Sequence, residues 1–363
     1  MTARTRPGSL YQALKAERYL FDPQELVGLF RQASQRRVNR MADTIATYIR
    51  SNLPRAVEKR RGLQDYRTNP YVLMTAASVM KLNDPTVFGS FLLNSKLYMA
   101  LETSFGKSIE AAFLQRYPIT ADGKWDDPDE KVAEFDELAG LNREEKARRR
   151  SSSVWREIDK ACVVGHKRYL TTIKSGPNTI NDTQVQAMMQ AIIDHHQEWA
   201  ASSYATSPSV HELDIVLGLT YGTPRSTNNK DNQILVKLLD HGFEEEDRVR
   251  NPGVLIDSAT GSTRVYRRIG KDFWAFIGDP ENPADAAFVF LEVLLALARA
   301  LSQGIAEADL ESRVNAKIDQ LARAIASLQF PRASLPDWVK DDFSDDELVW
   351  FATAMSAFYD EGI

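Results

Sequence analysis

The sequence predicts an α/β (α+β) fold: a central sheet flanked by helices, with helical extensions at both ends. Three observations predict it. From about residue 10 to 115, apolar residues recur at the period of amphipathic helices, broken at Pro23, Pro54, Pro70 and Pro85. Between Ile158 and Gly222 the pattern becomes strand, strand, helix, strand. The chain then closes with two or three helices, one of them carrying AAFVFLEVLLALARAL from Ala286 to Leu301. On this reading residues 1–95 form a helical N-terminal region, 96–280 the α/β core, and 281–363 a helical C-terminal region whose apolar helix is a candidate self-association surface.

Each element has its own signal. IDKACVV from Ile158, a turn over Gly165 to Arg168 and YLTTIKS to Ser175 read as a hairpin. Gly176 and Pro177 close the second strand, and DTQVQAMMQAIIDHHQEWAAS reads as a helix capped by Asn181 or Asp182. LDIVLGLTYG, Leu213 to Gly222, is apolar enough for a strand buried on both faces. NQILVKLLDHGF follows as a helix, and VLIDS and TRVYRRI as short strands. The polar stretch from Ala121 to Ser153, with Arg148, Arg149 and Arg150, reads as an exposed connection. Cys162, Phe273, Trp274 and Phe276 are read as core residues. His195 and His196, about 100° apart on a helix, are read as surface or boundary residues.

Composition narrows the function classes. A chain of 363 residues that is 43% hydrophobic can bury a large core. Its 45 Lys plus Arg against 50 Asp plus Glu leave a formal charge of -5, so any contact with nucleic acid must come from local patches. The single cysteine excludes an intramolecular disulfide, and with five scattered histidines it argues against a Cys/His zinc cage, which suits a reducing cytoplasm. The N-terminal residues lack the apolar run of a signal peptide, and Glu292 and Arg299 interrupt the most apolar stretch, so no membrane association is expected.

The hairpin carries the chemistry. Asp159 stands 13 residues before Thr172 and 15 before Lys174, across one short turn. Alternation along a strand puts Thr172 and Lys174 on one face, so a carboxylate and an ammonium can converge there. Hydrolysis of a phosphodiester needs a divalent cation held by carboxylates and carbonyls, and a group that orients the attacking water.

This arrangement resembles the PD-(D/E)XK nuclease superfamily, in particular its type II restriction endonucleases. KSGPN from Lys174 to Asn178, with Asn181 and Gln184 after it, is similar to the members that cut interrupted GGNCC-type palindromes, as are LGLTYG around Gly218 and YRRIGKDFWAFIGD from Tyr266. The likeness runs from about Phe105 to Asp279. It implies a restriction-endonuclease-like mixed central sheet, Mg2+ as cofactor, double-stranded DNA as substrate, a homodimer on a palindromic site and a cognate DNA methyltransferase. It further implies that Asp159 binds the metal beside the scissile phosphate, that the Ile173 carbonyl completes the site and that Lys174 orients the water. The family's acidic residue on the second strand of the ribbon is Thr172 here. Glu110, in the S-x-G-x-x-x-E setting of SFGKSIE, is the candidate replacement carboxylate, with Glu102, Asp182 and Glu198 as alternatives.

Sequence reading of DNA requires hydrogen-bonding side chains in a groove and cations on the flanking phosphates. Arg225, Asn228, Asn229 and Lys230 follow the buried strand and are candidate base readers. Ser175, Asn178, Asn181 and Gln184 adjoin the hairpin end, and Arg267 and Arg268 form a second basic cluster with Arg264 and Lys271. Arg36, Arg37, Arg40, Arg55, Lys59, Arg60 and Arg61 are either further phosphate contacts or solvated helix faces, the latter being the commoner outcome. A D-x(13)-T-x-K spacing also arises by chance, so two other readings stand beside the nuclease: a nuclease-fold DNA-binding protein without cleavage, and a helical interaction protein.

Overall fold

The computed structural model describes residues 23–112, 117–118, 123–174, 182–222, 230–247, 249–307, 309–328 and 330–357. It is a mixed α+β architecture that separates into two compact units. One comprises the chain up to Met41 with Gly106–Leu297; the other comprises Ala42–Phe105 and the chain from Ala298 onward.

The first unit holds a six-stranded sheet in the order β1-β2-β3-β6-β5-β4. β1 (Lys160–Val164) and β2 (Lys167–Lys174) form the expected hairpin, turned at Gly165 with φ +58°. β3 (Glu212–Leu219) runs parallel to β2 and to β6 (Thr263–Ile269), and is buried along nearly all its length, as its unbroken apolar run requires. β5 (Asn251–Asp257) pairs antiparallel with β6, and β4 (Phe243–Asp247) forms the outer edge. The sequence FEEED of β4 does not read as a strand, yet an edge rich in charge is how sheets avoid pairing with other chains.

Two helices cover one face of the sheet. In α7 (Asp182–Thr206), Val185, Met188, Met189, Ile192 and Trp199 form a stripe against Leu170, Leu213, Ile215 and Leu217; α8 (Lys230–Leu238) adds Ile234, Leu235 and Leu238. His196 lies on that stripe and is buried, its Nδ1 donating to the Ile192 carbonyl at 2.8 Å, so its place is interior rather than at the surface. The opposite face carries Tyr169 and Tyr266, packed against Phe276 of α9 (Lys271–Gly278). Gly218 permits this packing: a Cβ there would stand 2.4 Å from the Phe273 ring and 2.5 Å from the Thr172 carbonyl. Phe273, Trp274, Phe276 and Cys162 are all buried, as expected.

The stretch from Ala121 to Ser153 departs from its reading as an exposed connection. Its described part contains α5 (Asp129–Asp136) and α6 (Arg143–Ser151), and Trp125 before them is fully buried, its Nε1 donating to the Ile277 carbonyl at 2.9 Å. One aromatic anchor outweighs the polar composition around it, because α6 has no buried residue of its own to report its place. In the same unit α1 (Pro23–Gln32) precedes the first turns of α2 (Gln35–Glu58), and Arg37 there pairs at 2.7 Å with the fully buried Glu292 at the start of α10 (Phe288–Glu307), which also accepts from Ser34 N and from the Tyr117 hydroxyl. Burial and the adjacent Glu292 carboxylate raise the Tyr117 hydroxyl well above its usual range.

The second unit is helical. Pro70 opens α3 (Pro70–Met80) and Pro85 opens α4 (Pro85–Ala112), the position where a missing N–H costs nothing. Pro54, by contrast, does not end a helix: α2 continues through it to Glu58. Leu53 and Val57, both buried, hold the last turn in place against the roughly 3 kcal/mol penalty of an interior proline. Leu73, Leu92 and Leu93 form a core with Leu321 and Ile325 of α11 (Leu310–Ala326) and Trp350 of α13 (Asp345–Ala357), which follows α12 (Asp337–Asp342). No described helix is long and apolar enough to cross a membrane.

Candidate functional site

The parallel strands β2, β3 and β6 end in register, Lys174 beside Leu219 and Leu219 beside Ile269. The C-terminal edge of a parallel sheet collects the following loops and the first turns of the returning helices, which makes it a natural place for a site. Gln184 from the start of α7 and Asp231 from the start of α8 come back to this edge, where they line one cleft together with Thr172, Lys174, Met188, Leu217 and Ile234. Both helices point their N-termini, with their partial positive charge, toward it.

Asp159 precedes β1 directly. The regular ladder ends where Lys160 pairs with Thr171, and Asp159 joins it through the Thr171 carbonyl rather than by opening a further row. Leu170 belongs to the core under α7, so alternation along β2 places Thr172 and Lys174 on that same face, whereas Asp159 lies before β1 and is not among the residues lining the cleft. Asp159 is half-buried, its N–H donating to the Thr171 carbonyl at 2.9 Å and its Oδ2 accepting from Ile173 N at 2.6 Å. The N–H and C=O of one strand residue project to the same edge, so the Ile173 carbonyl points to the side where this carboxylate lies. A carboxylate and a backbone carbonyl on one strand edge form a hard, all-oxygen donor set suited to magnesium.

The remaining expected residues divide into three groups. Glu110 and Glu102 lie on α4, with side chains outside the described residues, as are Ser175, Asn178, Asn181, Arg225, Asn228 and Asn229. Gln184 lines the cleft, while Lys230 is in an ion pair with Asp182 at 2.7 Å. Glu198 interacts with His195 at 3.7 Å and stands fourteen residues along α7 from Gln184, roughly 21 Å by helical rise. Arg267 is a correction: it is buried and ion-paired with Asp231 beneath α8, unable to reach a DNA groove. Arg268 emerges on the opposite face, 4.8 Å from the Tyr266 ring, and Arg264 of the same basic cluster is held by Glu212 and Glu246. Arg37 likewise belongs to an interior ion pair rather than to a cationic surface.

Sequence reading missed Asp231, the acidic residue of this cleft. In the sequence it is one acid in the first turn of a helix, a common capping preference, and its partner Arg267 is 36 residues away. Nothing local reports that the two meet. No family model matches this chain, and no curated protein is significantly similar to it.

Proposed function

We propose that this protein is a magnesium-dependent, sequence-specific DNA endonuclease of the type II restriction class, with a restriction-endonuclease-like core. The observation that supports the reading is the bond from Ile173 N to the Asp159 carboxylate, which sets an aspartate against β2 between Thr172 and Lys174, with the Ile173 carbonyl on the Asp159 edge. Asp159 and the Ile173 carbonyl would hold the magnesium ion, which when bound supplies charge neutralisation at the phosphate and a more acidic water. Lys174 orients that water and stabilises the charge that develops on the phosphate. Gln184, across the cleft, offers an amide to a water or to a backbone phosphate. Glu110 remains the candidate for the carboxylate that Thr172 does not provide. A palindromic site presents two equivalent phosphates, so the acting species is a homodimer, and a host carrying it needs a methyltransferase of the same specificity.

The test is digestion of DNA of known sequence with and without magnesium, followed by mapping of the ends. Cleavage at one repeated site is expected. Asp159→Asn, which keeps an oxygen for Ile173 N, or Lys174→Ala should lower the rate by about 10²–10⁴-fold with thermal melting little changed. One observation favours a second reading, a nuclease-fold protein that binds DNA with little or no cleavage: Thr172 brings no carboxylate, and one Asp159 oxygen is already engaged by Ile173 N. Binding to a unique sequence without magnesium-dependent cutting selects that reading.

A further inference from the structure

The parallel pairing of β2 and β3 brings together, at their N-terminal ends, residues that are far apart in sequence. One ring nitrogen from each of His166 and His211 and one carboxylate oxygen of Glu212 lie within 4.8 Å of one another. We propose that these three residues form a binding site for a transition-metal dication, with zinc as the expected occupant.

The backbone sets up the cluster. The His166 carbonyl accepts from both His211 N at 3.0 Å and Glu212 N at 3.3 Å, which clamps the hairpin turn to the start of β3. The two imidazoles stack with centroids 4.7 Å apart and planes 17° from parallel. Tetrahedral zinc with bonds near 2.0–2.1 Å places its ligand atoms about 3.3 Å apart, so rotation of exposed side chains closes the set without moving the backbone. His166 Nε2 is already 3.2 Å from Glu212 Oε1.

The surroundings of the ligands also fit a metal. Glu212 Oε2 accepts from Arg264 at 2.5 Å and is paired with Lys167 at 3.3 Å, leaving Oε1 turned toward the histidines. His211 Nδ1 lies 3.2 Å from the Ser209 carbonyl, and donation there leaves Nε2 with the lone pair available to a cation. Such outer partners orient metal ligands. Two imidazoles with one carboxylate favour zinc, cobalt, nickel or copper over magnesium. At about 3.3 Å per residue along β2, the cluster stands roughly 23 Å from Lys174, so its occupancy is separable from the cleft.

Cobalt titration of the full-length protein tests this, with excess magnesium present to fill any all-oxygen site. The wild type should bind one cobalt per chain with the intense visible absorption of a low-coordinate site, and zinc should displace it. His166→Ala and His211→Ala should each weaken binding more than tenfold and abolish the zinc-dependent rise in melting temperature, with metal-free melting unchanged. Absence of cobalt binding in the wild type, or equal binding by both variants, overturns the proposal.

Discussion

Two arginine–carboxylate pairs lie on the helix-covered face of the sheet, at opposite ends, and they are built differently. At the N-terminal end Arg168 grips Glu130 with two parallel bonds of 2.8 Å and donates to Ser203 Oγ, while Ser202 bonds the same carboxylate. At the C-terminal end Arg267 meets Asp231 through one guanidinium nitrogen, and its second terminal nitrogen is buried with no hydrogen-bond partner among the described residues. The second pair is also the drier one, its side chains 4% and 1% exposed against 7% and 20% for Arg168 and Glu130. Buried donors without partners are scarce in folded proteins, and those that exist concentrate where a ligand or mechanism uses them. The complete pair holds α5 and α7 to the sheet, whereas the incomplete one borders the cleft that contains Lys174.

Removing one member of the drier pair should have the largest effect. Asp231→Ala leaves Arg267 charged and buried without this carboxylate, and should lower stability by about 3–5 kcal/mol in urea unfolding. A loss below about 1 kcal/mol would show the two pairs to be equivalent. Replacing both members with apolar residues, Asp231→Leu with Arg267→Met, should return stability to within about 1–2 kcal/mol of wild type. DNA cleavage by that double variant then sharpens the contrast: lost activity in a stable protein assigns the pair to the cleft, and retained activity makes it structural.

The same contrast separates what could be read from the sequence. The β1–β2 ribbon, α7 and β3 were legible because their signals are local: alternation in YLTTIK, a 3.6-residue stripe from Val185 to Trp199, and an apolar run in LDIVLGL. The parity of Thr172 and Lys174 follows from the strand alone, and so did their shared face. Asp231–Arg267 and His166–His211–Glu212 were not legible, since each depends on which strands become neighbours in the sheet. α9 was hidden because KDFWAFIG has the length and apolarity of a strand, and α6 because REEKARRRS buries nothing. His196 was misread for the opposite reason: its polar ring occupies an apolar position, with its Nδ1 bonded to Ile192 O within the helix.

The smallest effect is expected at the complete pair, and it should appear as a pH dependence. Burial pushes the Glu130 carboxyl up, but the bonds from Arg168 and Ser202 outweigh it and hold the group at about 2, below its ordinary 4.5. A carboxyl depressed in the folded state contributes stability in full above its unfolded value and loses it as pH falls through the folded one. The contribution of Glu130 should therefore be constant from pH 7 to about 5 and decline between about 4.5 and 2. Glu130→Gln removes that term while keeping a side chain able to bond Arg168. Urea unfolding of both proteins across this range should show curves separated at neutral pH that converge as the solution becomes acidic. A constant gap down to pH 2 would mean that the loss comes from packing around α5, and the distinction drawn between the two ends of the sheet would then rest on the Asp231 variants alone.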